Sequence, residues 1–423
     1  MTHSVAPGTS HVSPVDVIRD QFPALRREHR GYPVAYFDGP GGTQVPAVVV
    51  DRMRDYLLHH NANTHWAYPT SEETDAAIAD ARGALADFLG ASPEEVAFGA
   101  NMTTLTFHVS RALARQWQAG DEVIVTELDH YGNVDPWRAV ARDHGLTIRS
   151  VPMNTATGEL EWNALERAFS ARTKLLAIGA ASNILGTITD VAAAARLARD
   201  AGAQCFVDAV HYAPHAPVDV RAIGCDLLVC SPYKFYGPHV GAVYVRRDLL
   251  ERLDVPKVEP AAATGPARLE TGTLSHEAIV GAAAAVDFLA SLANDAGSRR
   301  DRLVRTMAAL HERGLRQVTR LWEALRAIPG VTVYGPPPSR PRTSTISFVV
   351  AGLDSTAVAR HCAERGLFVS NGDFYATTVA RRLGHGDDGL VRLGCAAYTS
   401  DDEVERAIAA IAEIADRIAA SRL

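Results

Sequence analysis

Between residues 94 and 247, short and almost wholly apolar runs alternate with stretches in which apolar residues return every three or four positions. The runs are Glu95–Phe98, Glu122–Val125, Thr147–Val151, Lys174–Ile178, Gln204–Val207, Leu227–Cys230 and Gly241–Val245. Runs of this length without polar alternation predict strands buried on both faces. Among the intervening stretches, Val191–Asp200 reads as a helix with Gly202 as its stop signal. The alternation predicts an α/β fold with a mostly parallel sheet between helices. Past Thr273 the pattern changes. Residues 276–292 and 299–327 predict long helices, and "GPPPSRPRTS" at 335–344 predicts a loop. Strands are expected at Ser344–Val350, Leu367–Val369 and Leu390–Leu393, with an amphipathic helix from Asp401 to Ile418. This second region reads as a smaller α+β domain, joined near residues 290–300.

A chain of 423 residues suits one large and one small domain. Its net charge of −7 offers no basic footprint for nucleic acid. No apolar run reaches the length of a membrane span. The opening "MTHSVAPGTSHVSPVD" lacks a basic region followed by an apolar core, so it reads as a disordered leader and not as a secretory signal. The five cysteines (Cys205, Cys225, Cys230, Cys362, Cys395) show no CxxC spacing, which fits reduced thiols in a cytoplasmic protein. No His/Cys/carboxylate cluster has zinc-ligand spacing, so no metal is expected.

Lysine is the outlier in the composition. The chain has three (Lys174, Lys234, Lys257) among 42 basic residues. Lys234 lies in "CSPYKFYGP", at the carboxyl end of an expected strand, where open α/β sheets place their ligands. A lysine after a strand is ordinarily a surface residue. In a desolvated pocket, however, it can lose its proton and condense with an aldehyde. An aldehyde cofactor such as pyridoxal 5'-phosphate also needs a carboxylate to hold its ring nitrogen protonated. Asp208 ends the preceding strand and could serve; on its own it reads equally well as a helix cap. In "ANMTT" a helix would begin at Thr103–Thr104, and its N–H groups and hydroxyls suit a phosphate, although a threonine cap is common. His130 follows the strand at 122–125, either as an ordinary loop histidine or as a ring stacked on a flat cofactor. "GPGG" at 39–42 is no dinucleotide fingerprint.

Together these segments resemble the class V, fold-type I pyridoxal-phosphate enzymes, in the cysteine desulfurase and isopenicillin-N epimerase branch. The resemblance runs from about Tyr36 to the C-terminus. "YFDGPGGTQVP" is similar to the family's "YLDNAA" opening, "ELDHYGNVDPW" to "EHHANIVPW", "ASNILGT" to "VSNVLGT", "FVDAVHYAPH" to "VDGAQAAPH", and "CSPYKFYGPHVG" to "FSGHKLYGPTG". It implies a large domain over residues 36–294, built on a mostly parallel seven-stranded sheet, and a small α+β domain over residues 295–423. Residues 1–35 would form a leader and arm packed on the small domain.

The resemblance also implies roles. Lys234 would be the Schiff-base lysine and Asp208 the partner of the pyridine nitrogen. His130 would be the stacking ring, with Asn133 a polar contact nearby. Thr103, Thr104 and Ser231 would hold the phosphate. Asn183 would lie near the phenolic oxygen and the substrate carboxylate. His211 replaces a glutamine that usually contacts the cofactor, and Tyr233 replaces the usual histidine before the lysine. "RLETGT" places Thr273 at the phosphate of a neighbouring subunit, which implies a homodimer with shared active sites. "VRLGCAAYTSDDEVERAI" makes Arg392 the clamp for the α-carboxylate of an amino-acid substrate.

One departure bears on the reaction. Persulfide-forming desulfurases carry a mobile cysteine after a loop like "RTGHHCAQP". Here the stretch is "VSNGDFYATT", and Tyr375 takes that position, as a pocket wall or an acid. Cys362 and Cys395 fall elsewhere and read as buried small hydrophobes. The expected reaction is therefore β-elimination from an S-substituted cysteine, a lyase reaction that needs no protein thiol. Epimerase, aminotransferase and decarboxylating oxidative deaminase chemistry are alternatives on the same frame. A non-catalytic cofactor-binding protein is disfavoured by the intact set of Lys234, Asp208, Thr103 and Arg392.

Overall fold

The computed structural model describes residues 12–421. All the runs expected between residues 94 and 247 are strands of one sheet: β1 (Val96–Gly99), β2 (Glu122–Thr126), β3 (Thr147–Val151), β4 (Thr173–Gly179), β5 (Gln204–Asp208), β6 (Leu227–Cys230) and β7 (Gly241–Val245). This seven-stranded sheet has the order β1-β7-β6-β5-β4-β2-β3. β7 runs antiparallel to both neighbours, and the pairs among β6, β5, β4, β2 and β3 are parallel. β1 therefore points the same way as β6. The carboxyl ends of all strands but β7 gather along one edge, and their loops can converge there.

The helices that cover the sheet include α1 (Pro69–Leu89), α2 (Met102–Ala114), α3 (Val191–Asp200) and α4 (His276–Ser291). α3 has the bounds expected from its periodicity, and α4 ends one residue earlier than expected. α4 is buried along nearly its whole length, against α1 and the preceding segment at 47–55. α5 (Arg299–Ala327) joins two cores. Leu303, Met307 and Leu310 pack with the large sheet's core, while Val318, Leu321 and Leu325 pack under a second sheet. That second sheet is antiparallel, in the order β8 (Val331–Tyr334), β9 (Thr345–Val350), β11 (Leu390–Gly394), β10 (Ser370–Gly372). The closing helix α6 (Asp401–Ser421) lies against α5.

Three details differ from the sequence expectation. β8 and β10 are half-exposed edge strands, so neither leaves a continuous apolar run. Leu367–Phe368 joins Ala35–Tyr36 in a separate parallel pair and not the second sheet. The opening stretch is not disordered throughout. Its first eleven residues lie outside the described ones, but Val12 is buried and bridges to Ala293, and a short helix begins at Val15. Arg19 then donates to Glu403 (2.9 Å) at the start of α6, while Phe22 packs in the large core.

Candidate active site

Five loops at the carboxyl edge of the large sheet enclose an inner cavity of about 310 Å³. β1 leads into the Asn101–Thr103 turn, β2 into Asp129–His130, β4 into Ala181–Asn183, β5 into Asp208–His211, and β6 into Ser231–Lys234. Two glycines permit the close approach. A side chain at Gly179 would collide with the Asp129 carboxylate, and one at Gly241 with the Asn101 backbone. An outer chamber of about 860 Å³ shares Pro40, Asn101, Thr103, His130, Asn183, Tyr233 and Lys234 with the inner one. It adds Arg392 and Tyr375.

Lys234 sits on a tight turn after β6. Its Nζ donates to the carbonyls of Pro40 (2.5 Å) and Gly41 (2.9 Å), in the "GPGG" turn. Burial pulls its pKa down to about 7, helped by the Arg392 charge and opposed by Asp208 and Asp38. Asp208 ends β5 and accepts from the Val210 N–H (2.9 Å). Burial raises its pKa to about 6. The His130 Nδ1 accepts from the Gly132 N–H (2.9 Å), so the neutral ring carries its proton on Nε2. Burial and the two nearby cations hold its pKa at about 4.

The His211 Nε2 lies 3.2 Å from the Thr343 hydroxyl and 3.1 Å from that of Thr345. Its Nδ1 is buried without a partner among the described residues, and burial holds the ring neutral. Ser231 accepts from the Met102 N–H (3.2 Å) at the start of α2. The helix is capped by Asn101 and begins at Met102, one residue before its expected start. Asn101 also holds the Thr104 hydroxyl (3.1 Å), and Thr104 faces only the outer chamber. Tyr233 stacks on His239 (4.8 Å, 17°) and lines both cavities. Asn133 is buried behind the site and accepts from the Trp137 indole (3.3 Å).

Arg392, in the middle of β11, is 3% exposed. One guanidinium nitrogen donates to the Asn183 carbonyl (2.8 Å), and Nε has no partner among the described residues. Burial draws its pKa down to about 9, against the pull of Asp38. A buried cation with free donors is a ready seat for a carboxylate. Thr273 is not among these residues. It lies on an exposed loop that lines another cavity, with His65 and Trp66.

Three neighbours escape the sequence reading. Asp129 is fully enclosed, and burial plus the Asp208 charge raise its pKa to about 8. Asp38 is half-buried, with one oxygen enclosed and unpartnered among the described residues, beside Lys234 and Arg392. Phe374 lays its ring 3.8 Å from the Arg392 guanidinium. Asp129 and Asp38 do carry a sequence signal, each an acid in a loop next to a singled-out motif. Phe374 carries none, since loops have no periodicity.

Residues 35–407 match the family model described as aminotransferase class-V. A cysteine desulfurase of Dickeya dadantii is 30% identical over 417 residues, covering 95% of this chain and 97% of that protein. A probable cysteine desulfurase of Vibrio cholerae is 32% identical over 417 residues, with 95% and 98% covered. Among solved structures, the apo cysteine desulfurase of Thermococcus onnurineus superposes with a TM-score of 0.85 at 26% identity, covering 95% of this chain and 98% of that one.

Proposed function

The chain belongs to the class-V aminotransferase family, and from that premise we propose that it cleaves the C–S bond of an S-substituted cysteine by β-elimination, without a persulfide on the protein. Its cofactor is pyridoxal 5'-phosphate. The inner cavity suits that group. A buried carboxylate (Asp208), a lysine held near neutrality (Lys234), unpartnered polar atoms on His211 and Asn183, and the start of α2 all face one space. When bound, the cofactor supplies an amine-reactive aldehyde and a ring that accepts the electrons of a bond broken at the substrate's α-carbon.

The residues divide the remaining work. Asp208 would hold a proton on the ring nitrogen, and His130 would cover the ring face. Thr103 and Ser231 would receive the phosphate at the start of α2, with Thr104 reaching it only from the outer chamber. Arg392 and Asn183 would orient the substrate carboxylate. Lys234, near pKa 7, would take the α-proton. Tyr233 would wall the site beside it. The β-thiolate then leaves; the products are a thiol, pyruvate and ammonium, with one water consumed. We further propose that Thr273 completes the site of a second copy of the chain, and that residues 36–294 and 295–423 are the two domains.

The observation that carries the reading is the thiol inventory. All five cysteines are buried, and burial pushes Cys225, Cys230, Cys362 and Cys395 up to about 12. The loop position where the resemblance places a mobile cysteine holds Tyr375 instead, 71% exposed. Elimination is the C–S cleavage that needs no such thiol. The test is to mix the holoenzyme with S-methyl-L-cysteine and follow products and cofactor spectrum together. Equimolar pyruvate, ammonium and methanethiol are expected. Conversion of the cofactor to its amine form, α-proton exchange without products, or sulfur trapped on the protein would each refute the proposal.

A further inference from the structure

The outer chamber is larger than the free amino acid cysteine requires, since that side chain ends one atom beyond its β-carbon. The chamber's volume is about 860 Å³, and Arg392 opens into it and not into the inner cavity. A carboxylate on Arg392 therefore brings its own side chain into the outer space. Besides His130 and Tyr233, which it shares with the inner cavity, four aromatic residues line that space: Phe107, Tyr131, Phe374 and Tyr375.

Two of them are held in an unusual way. Phe374 and Tyr375 are consecutive, and both have left-handed backbones (φ +55° and +58°). Bulky residues adopt this region rarely, and such strain persists only where the surroundings impose it. Here they do. The Asn183 side chain donates to the Phe374 carbonyl (2.9 Å), the Tyr131 N–H to the Tyr375 carbonyl (2.8 Å), and the Tyr375 N–H to Asp373 (3.1 Å).

The two rings face different partners. Phe374 packs on the small core around Leu128 and Ile184 and turns a face to Arg392. Tyr375 belongs to no core cluster. The residue is 71% exposed, yet its ring lies 5.4 Å from the His130 ring, tilted by 32°. The exposed ring adds nothing to the hydrophobic cores among the described residues. It does present a flat apolar face to whatever occupies the chamber.

We propose that the substrate's β-substituent carries an aromatic ring, and that Phe374 and Tyr375 select for it. The inference rests on the elimination reading for the bond that breaks, and on the chamber walls for the group that leaves. Contacts with two aromatic faces predict at least tenfold discrimination.

Two measurements test it. In the first, the Lys234→Ala protein loaded with pyridoxal phosphate is titrated calorimetrically with S-benzyl-L-cysteine and S-methyl-L-cysteine. The benzyl compound should bind at least tenfold more tightly, and adding Tyr375→Ala or Phe374→Leu should reduce that ratio several-fold. Equal binding, tighter binding of the methyl compound, or no binding of either overturns the inference. In the second, the two compounds are compared as substrates of the wild-type enzyme. Thiol release from both at equal kcat/KM supports elimination and overturns the aromatic preference. No release from either, with the binding ratio intact, supports the preference and refutes elimination.

Discussion

Replacing Asp129 by asparagine isolates the electrostatics under the cofactor site. Asp129 is 5% exposed, accepts from the Thr126 hydroxyl (2.9 Å), and faces the Asp208 charge. Its carboxyl is raised from 3.8 to about 8. Between those values the folded protein keeps a proton that the unfolded chain has released. Stability is therefore fully present below pH 4 and falls as pH rises through about 8. A shift of about four units at roughly 1.36 kcal/mol each sets a ceiling near 6 kcal/mol. Relaxation and water entry around the ionised group reduce that cost. We expect the stability gap between Asp129→Asn and wild type to widen by about 3 kcal/mol from pH 5 to pH 9. Asparagine keeps the shape and has no proton to lose. Urea denaturation of the cofactor-stripped proteins across that range measures the gap. Parallel pH profiles for the two proteins would refute the reasoning and mean that Asp129 is ionised in the folded state.

Other variants probe the remaining groups. Lys234→Ala should abolish turnover and leave the cofactor bound non-covalently, so that borohydride reduction followed by mass spectrometry finds no adduct on the chain; wild-type-like activity would sink the assignment. Arg392→Gln should lower kcat/KM about 100-fold through KM, the loss of charged hydrogen bonds worth about 3 kcal/mol; a change confined to kcat would argue against a carboxylate clamp. Glu270 is bridged by Arg82 through both oxygens (2.6 and 2.7 Å) and by the Phe98 N–H (2.8 Å), with little exposure. Glu270→Ala strands a buried guanidinium and should cost about 3–5 kcal/mol in urea denaturation; a loss under 1 kcal/mol would mean that water replaces the pair.

What could be read in the sequence follows from how local each signal is. Six strands of the large sheet were legible because burial leaves each a mostly apolar run; β3 is the exception, an edge strand with Thr147, Arg149 and Ser150 exposed. β8 and β10 were not, because edge strands mix exposed and buried positions. In the site, the residues that stood out lie at a strand end, in a turn or at a helix start, apart from Arg392 within β11. The outer chamber was legible only in part: the resemblance singled out Arg392 and Tyr375, and nothing singled out Phe374. Phe374 meets Arg392 from a loop 18 positions earlier in the chain, and its left-handed backbone is dictated by tethers from Asn183 and Tyr131. Nothing in "GDFYATT" records those partners.

The rarity of lysine in an arginine-rich chain has a physical reading in the two buried cations of the site. Lys234 and Arg392 share the outer chamber, and the Arg392 charge acts on Lys234. Burial lowers both. Lys234 falls to about 7, so near neutral pH roughly half of its amines are unprotonated and nucleophilic. Arg392 falls only to about 9 and keeps its charge there. The same environment thus makes a base of one side chain and leaves the other a cation. An arginine at position 234 would stay protonated and could neither attack an aldehyde nor accept an α-proton. A lysine at position 392, lowered as Arg392 is, would keep its charge only part of the time near neutral pH and would lack the two-pronged grip on a carboxylate. The two positions are not exchangeable, although both are buried, basic and open to the same space.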